Sequence, residues 1–270
     1  MNSDCNGTLI RNNEMRSDHN KIETTKLVVA LDVPDASQAF LLADGLRSLP
    51  VWVKLGLELF TAEGPDIVWA MQARNLPVFL DLKFHDIPNT VMGAVRSSTL
   101  LGVNMCTLHS SGGKDMCLAA VEGRKQAAAK FADKGREAAG RPLLMAITVL
   151  TSQEGDAGKL TSLVVERALM AKSCGMDGIV CSGREVAAVK QACGRSFLCL
   201  CPGIRFAGAD GGDDQARVCT PAQAVSQGAD FLVMGRPITR AENPAEAVCR
   251  ALAEMEQVEQ AGQGIPASGS

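Results

Sequence analysis

Short apolar runs rich in β-branched residues recur along the chain and alternate with stretches that have the spacing of helices. The apolar runs predict eight buried strands, at Lys26–Asp32, Val51–Leu55, Val78–Lys83, Val103–Leu108, Leu143–Thr148, Gly178–Cys181, Phe197–Cys201 and Phe231–Met234. Helical spacing predicts helices that include Ala36–Leu49, Asn89–Leu101, Leu160–Cys174, Arg184–Ala192 and Pro244–Gln257. This alternation is typical of an α/β protein with a single (β/α)8 TIM barrel, and it leaves a doubly wound open sheet as the alternative.

The two ends of the chain differ in composition from the region between them. Residues 1–25 are polar and mixed in charge, and we expect a disordered extension there. We expect residues 259–270 to form a flexible tail. Residues 26–258 contain no linker rich in Pro, Gly or Ser, so we predict one catalytic barrel domain, with a polar surface excursion at residues 125–141.

Polar residues gather where the predicted strands end. Asp32 ends the first strand, Lys54 lies near the end of the second, and Asp81 and Lys83 end the third. The segments that follow strands five, seven and eight are Thr148–Thr151, Pro202–Arg205 and Gly235-Arg236. The carboxyl ends of the strands form one face of a barrel, where active sites lie. The sequence therefore predicts an active site at this face.

The segment Asp81–Thr90 is dense in charge at the end of an apolar strand. The period of two places Asp81 and Lys83 on one face, and Asp86 follows just past the strand. Buried charges are costly unless paired, so we interpret Lys54 and these three residues as an alternating array. Such an array suits Lys83 as a general acid that protonates carbon, with Asp81 repelling an anionic substrate group. A purely structural ion network is the alternative.

Gly235-Arg236 lies after the eighth strand, where barrels commonly bind phosphate. Glycine lets the backbone approach an anion, and an arginine contacts two phosphate oxygens. The glycine-rich segment 202–215 predicts a lid, with Arg205 and Gln215 at its ends as further phosphate donors. The alternatives are a glycine turn with a surface arginine and a disordered surface loop.

Composition excludes several classes of protein. The net charge of −3 lacks the basic excess that is typical of nucleic-acid-binding proteins. No segment approaches the ~20 apolar residues that span a membrane. The ten cysteines are scattered and form no Cys-x-x-Cys, so we expect reduced thiols in a cytoplasmic protein and no metal site. We expect His85 and His109 to orient neighbouring groups rather than to catalyse.

Several motifs together resemble orotidine 5′-phosphate decarboxylases of the bacterial type, over residues 26–251. The motifs are VALDV (29–33), VKLGLELF (53–60), DLKFHDIPNT (81–90), HSSGG (109–113), LTS (150–152), PGIR (202–205), Gln215 and MGRPIT (234–239). The resemblance implies decarboxylation of orotidine 5′-phosphate to uridine 5′-phosphate (UMP) and CO2 in pyrimidine synthesis. It also implies a homodimer with shared active sites that needs no cofactor and no metal.

The resemblance also implies a role for each candidate residue. Lys83 protonates C6 of the pyrimidine, and Asp81 lies beside the departing carboxylate. Lys54 and Asp32 hold the ribose hydroxyls and the charge network. The residues implied to reach the site of the other subunit are Asp86, Ile87 and Thr90. Those implied to lie around the pyrimidine or to bind the phosphate are Thr151, Pro202, Arg205, Gln215, Gly235 and Arg236.

Two other functions are compatible with some of the same residues. Sugar-phosphate decarboxylases and aldolases, such as 3-keto-gulonate 6-phosphate decarboxylase, share the Asp-x-Lys-x-x-Asp strand end but use magnesium and an enediolate. Lys54 and the motif HDIPNT fit the orotidylate enzymes better. A catalytically silent nucleotide-binding barrel would not need both an acid–base array and a phosphate site.

Overall fold

A computed structural model describes residues 24–132, 141–149, 156–208 and 219–263 of the 270-residue chain. Its strands are β1 (Lys26–Ala30), β2 (Val51–Leu55), β3 (Val78–Phe84), β4 (Met105–His109), β5 (Leu143–Ile147), β6 (Gly178–Val180), β7 (Leu198–Cys201) and β8 (Phe231–Met234). All pair in parallel in chain order, and β8 pairs with β1 to close the barrel. This closure confirms the predicted (β/α)8 barrel, because an open sheet would leave two unpaired edges.

Helices lie between the strands and cover the outside of the barrel. They are α1 (Ala36–Leu46), α2 (Leu57–Glu63), α3 (Asp66–Gln72), α4 (Pro88–Leu100), α5 (Gly113–Ala132), α6 (Ala157–Ser173), α7 (Val186–Cys193), α8 (Pro221–Ser226), α9 (Arg236–Thr239) and α10 (Pro244–Gln263). A short 3-10 turn at Ser110–Gly112 precedes α5.

Two helices include residues that the sequence analysis does not place in a helix. Helix α5 includes residues 125–132, so a surface excursion from residue 125 is wrong there, while residues 133–140 lie outside the described ranges. Its polar stretch is rich in Ala, Lys, Gln and Arg, which are strong helix formers. Helix α10 continues beyond Gln257, because Val258 packs against the core and Glu259 accepts the Thr25 amide at 2.7 Å.

Two apolar layers hold the barrel together. One fills its interior, where Phe79, Met105 and Phe231 are almost completely buried and Trp52 meets Phe231 edge to face at 5.2 Å. The other lies between the strands and the surrounding helices. Because side chains fill the interior, a ligand has room at the carboxyl ends of the strands.

The cysteines in the described ranges are all free thiols, and most are buried in the apolar layers. Burial raises the pKa of the Cys106 thiol to about 12, which keeps it neutral. Among the helices of the described residues, none has the length and apolar character needed to cross a membrane.

Candidate active site

A cavity of about 480 Å³ opens at the carboxyl ends of the strands, within the usual size range of small-molecule sites. The predicted residues that line it are Asp32, Lys54, Asp81, Lys83, Pro202, Arg205, Gly235 and Arg236. Strand geometry explains much of this set, because inward-facing positions recur every second residue. On β2 the interior residue Trp52 is followed by Lys54, and on β3 Phe79 is followed by Asp81.

Four charged side chains form a continuous array along one wall of the cavity. Lys54 Nζ lies 2.8 Å from Asp32 Oδ1 and 3.7 Å from Asp81 Oδ2. Lys83 Nζ lies 2.7 Å from the same Asp81 oxygen. The side chains of Lys54 and Asp81 are each 11% exposed and that of Lys83 is 35% exposed. The array therefore alternates in sign, and Lys83 is its accessible cation.

The end of β3 departs from regular strand geometry at the catalytic candidates. Leu80 pairs with Cys106 on β4, and the next paired residue is Phe84 with Leu108. Lys83 lies within this irregular segment and has a φ of 52°, an unusual backbone conformation for a residue other than glycine. Backbone outliers of this kind persist only where surrounding contacts hold them, often at functional sites.

The neighbours of Asp81 control its protonation. Burial alone would raise the pKa of this carboxyl, but the charges of Lys54 and Lys83 and hydrogen bonds from Lys83 and Thr107 together lower it. Asp81 is therefore an anion at neutral pH, held between two ammonium groups. Each charge in the array has an opposite partner, which offsets the cost of placing it in a partly buried site.

Basic residues also line the cavity. Arg205, Arg236 and Gly235 line it, as the sequence predicts. Gly203 has a φ of 77°, a left-handed conformation that glycine adopts readily, in the turn that leads from β7 to Arg205. Two guanidinium groups in one cavity suit a phosphate, whose oxygens accept hydrogen bonds in the geometry that arginine offers.

Asp86 does not join the charge array within one chain. The prediction that it forms one array with Lys54, Asp81 and Lys83 is therefore wrong for a single chain. Its Oδ1 accepts the amide of Ile87 at 2.7 Å, and among the described residues it forms no ion pair with Lys54 or Lys83. Asp86 follows the last paired residue of β3, in the loop that leads to α4.

The remaining predicted residues fall into two groups. Ile87 and Thr90 are exposed and do not line the cavity of their own chain. Thr151, Gln215 and most of the predicted lid lie outside the described residues. The rings of His85 and His109 lie 5.2 Å apart beside the array, and partial burial, followed by the proximity of His85 and Lys83, lowers the pKa of His109.

The sequence reasoning missed two residues at this site. Thr107, completely buried on β4, donates its hydroxyl to Asp81 Oδ1 at 2.8 Å. A hydroxyl in the middle of an otherwise apolar strand was the available signal. Arg240 is exposed at the end of α9 and lines the same cavity as Arg236. One turn of helix separates the two arginines, and this spacing was visible in the sequence.

Fold and site together define a barrel with a cavity that an acid–base array and arginines line. A model of the orotidine 5′-phosphate decarboxylase / HUMPS family matches residues 25–251. The chain belongs to this family. Its membership confirms the family predicted from the motifs and, with it, the predicted enzyme class of carbon–carbon lyases.

Individual relatives match over nearly their whole length. Orotidine 5′-phosphate decarboxylase of Maridesulfovibrio salexigens is 52% identical over 237 residues, 86% of this chain and 99% of that one. The protein of the same name from Nitratidesulfovibrio vulgaris is 50% identical over 239 residues, 86% of this chain and 98% of that one. The crystal structure of orotidine 5′-phosphate decarboxylase from Lactobacillus acidophilus has a TM-score of 0.73 at 33% identity, covering 86% and 99% of the two chains.

Proposed function

We propose that this protein decarboxylates orotidine 5′-phosphate to UMP and CO2 in pyrimidine biosynthesis, without a cofactor or metal, and that Lys83 protonates C6. The observation that carries the proposal is the array Asp32–Lys54–Asp81–Lys83 in a cavity that three arginines also line. Names of relatives at 50–52% identity support the choice of substrate.

The array suits a reaction that breaks a bond from carbon to a carboxylate. The substrate carboxylate lies near Asp81, whose negative charge favours its departure as neutral CO2. The bond between C6 and the carboxylate breaks, and its electron pair remains at C6. The Lys83 ammonium stabilises this charge and then transfers a proton to C6, which gives UMP. Lys83 regains its proton from solvent.

The other members of the array hold Lys83 and Asp81 in place. Lys54 lies between two carboxylates, so its positive charge attracts both and helps to fix the orientation of Asp81. Asp32 has a side chain that is 61% exposed, which leaves it accessible to a ribose hydroxyl. A fixed arrangement of charges costs no reorganisation when the reaction occurs, which is a major source of catalysis in enzymes.

Arg205 and Arg236 bind the phosphate in this proposal, with Gly235 beside them and Gln215 as a further donor. The phosphate is not part of the bond that breaks. Its binding energy therefore holds the pyrimidine against the charged array, so that loss of an arginine contact lowers catalysis as well as affinity. Pro202 and Thr151 lie around the pyrimidine in the same proposal.

A homodimer completes the site. The loop after β3 carries Asp86 and Ile87, and Thr90 follows in the first turn of α4. All three residues are exposed, and Ile87 is a large apolar residue that is 67% exposed. A second chain that covers this loop would remove the apolar side chain from water. We propose that this loop enters the active site of the partner subunit in a cytoplasmic enzyme.

The test is to incubate the purified protein with orotidine 5′-phosphate and to measure UMP and CO2 as they form. Equal amounts of both products are expected, at a rate that does not change when EDTA is added. The sister sugar-phosphate decarboxylases use magnesium. Activity on a β-keto sugar acid phosphate that magnesium restores, without UMP formation, would contradict the proposal.

A further inference from the structure

We infer that Thr107 is a positioning residue for the decarboxylation proposed above, holding Asp81 and the backbone of Lys83 through one hydroxyl group. The hydroxyl donates to Asp81 Oδ1 at 2.8 Å and accepts the backbone amide of Lys83 at 3.0 Å. It therefore links the two residues that flank the reacting bond. The effect of Thr107 on catalysis rests on the proposed function, whereas its two hydrogen bonds are independent of that function.

The irregular pairing of β3 and β4 explains why a threonine is needed at this point. Between the paired positions, β3 has the segment 81–83, whereas β4 has Thr107 alone. The Lys83 amide accordingly finds its partner in a side-chain hydroxyl rather than in a carbonyl of the ladder. Without that partner, a partly buried N–H group would lose its hydrogen bond, which is costly.

Because of the Thr107 hydroxyl, the two oxygens of the Asp81 carboxylate have different partners. Oδ1 accepts from Thr107, while Oδ2 faces Lys83 and Lys54 at 2.7 and 3.7 Å. A carboxylate held by one oxygen cannot rotate without breaking that bond. Thr107 thereby keeps Oδ2 toward the lysines and toward the substrate.

The chemical requirements at this position are narrow. The group must accept from an amide and donate to a carboxylate, and a hydroxyl does both in one atom. It must also be small, because Thr107 is completely buried. Serine meets these conditions, valine keeps the shape without the hydroxyl, and cysteine offers only a weak donor.

The experiment compares Thr107→Val, Thr107→Cys and Thr107→Ser with the wild-type enzyme. We expect kcat to fall by about tenfold or more in the valine and cysteine variants, while the dissociation constant of UMP changes less than about threefold. Thr107→Ser should retain kcat within about threefold. Equal loss in the serine and valine variants, or full activity in both the valine and cysteine variants, would overturn the inference.

Thr99→Val is the matched control, because Thr99 is also buried and its hydroxyl donates to Val95 O at 2.8 Å within α4. It should lower the free energy of unfolding without lowering kcat. A purely structural Thr107 would behave in the same way, with a loss of stability and an unchanged kcat. If the valine variant does not fold, the kcat of Thr107→Cys is compared with that of Thr99→Val instead.

Hydrogen exchange separates this inference from the proposed function, because it needs no turnover. The Lys83 amide should be protected in the wild type and in Thr107→Ser, and should exchange faster in Thr107→Val. Unprotected exchange in the wild type would overturn the inference, whatever the enzyme's substrate. Absence of UMP formation by the wild type would overturn the proposed function and leave the exchange result standing.

Discussion

Lys83 Nζ lies 2.7 Å from Asp81 Oδ2, although Lys83 leaves regular strand geometry with a φ of 52°. The contact thus depends on the irregular end of β3 as well as on the two-residue spacing of the side chains. It places a proton donor beside an anion that the substrate carboxylate would face. The close approach of these two residues is the central element of the proposed chemistry.

Lys83→Ala should abolish turnover and leave the fold and UMP binding largely intact. The ammonium group is the proton donor in the proposal, and the 35% exposure of the side chain makes its removal tolerable for the core. Calorimetric titration with UMP and a product assay on the same preparation measure both quantities. Near-normal turnover in this variant would show that another group protonates C6.

Arg236→Ala should lower kcat/KM for orotidine 5′-phosphate by about a hundredfold or more. Orotidine, which lacks the phosphate, should show almost no difference between this variant and the wild type. Arg195→Ala is the control, since Arg195 is an exposed arginine that does not line the cavity. An equal loss on both substrates would mean that Arg236 does not act through the phosphate.

Asp86→Ala and Lys83→Ala should complement each other if the active sites are shared. Each variant alone is inactive in this proposal, but a mixed dimer has one site with both wild-type residues. After subunit exchange, an equal mixture should recover roughly a quarter of the wild-type activity, because half of the dimers are mixed and each has one intact site. A mixture that stays inactive after exchange, shown by mass spectrometry of the dimers, would contradict the shared site.

Asp81 should make the stability of the protein depend on pH only in the acidic range. Because folding lowers the pKa of its carboxyl, the charged form stabilises the fold above its ordinary pKa of about 3.9. That contribution is lost as the pH falls through the lower pKa of the folded state.

The variant Asp81→Asn lacks this contribution and provides the comparison. Its deficit in the free energy of unfolding should stay constant above about pH 5 and shrink below about pH 4. Denaturant titrations across this range measure the difference. A deficit that grows toward low pH would contradict the assigned direction of the shift.

Much of the fold and site follows from local patterns. Strands alternate with helices along the chain, so the apolar runs predict the barrel. Side-chain alternation along β3 places Asp81 at the cavity, whereas Lys83 reaches it from the irregular end of the strand. Gly235 and Arg236 are placed by their position directly after the last strand. In a closed barrel, all of these residues meet at one face.

Other features depend on contacts between distant segments, and a local pattern does not contain them. The register change between β3 and β4 brings Thr107 to Asp81, 26 residues away in sequence. Asp86 continues the charge pattern but lies past the last paired residue, so the loop carries it out of the array. The polar stretch of α5 shows a third limit, since helix propensity prevailed there over weak amphipathic patterning.

The most direct test of the account is the ultraviolet absorbance of orotidine 5′-phosphate after the purified protein is added in excess EDTA. The account predicts a rapid fall to the spectrum of UMP, at the same rate with and without the chelator. No fall, in a preparation that still binds UMP, would contradict it and indicate a nucleotide-binding barrel without this activity.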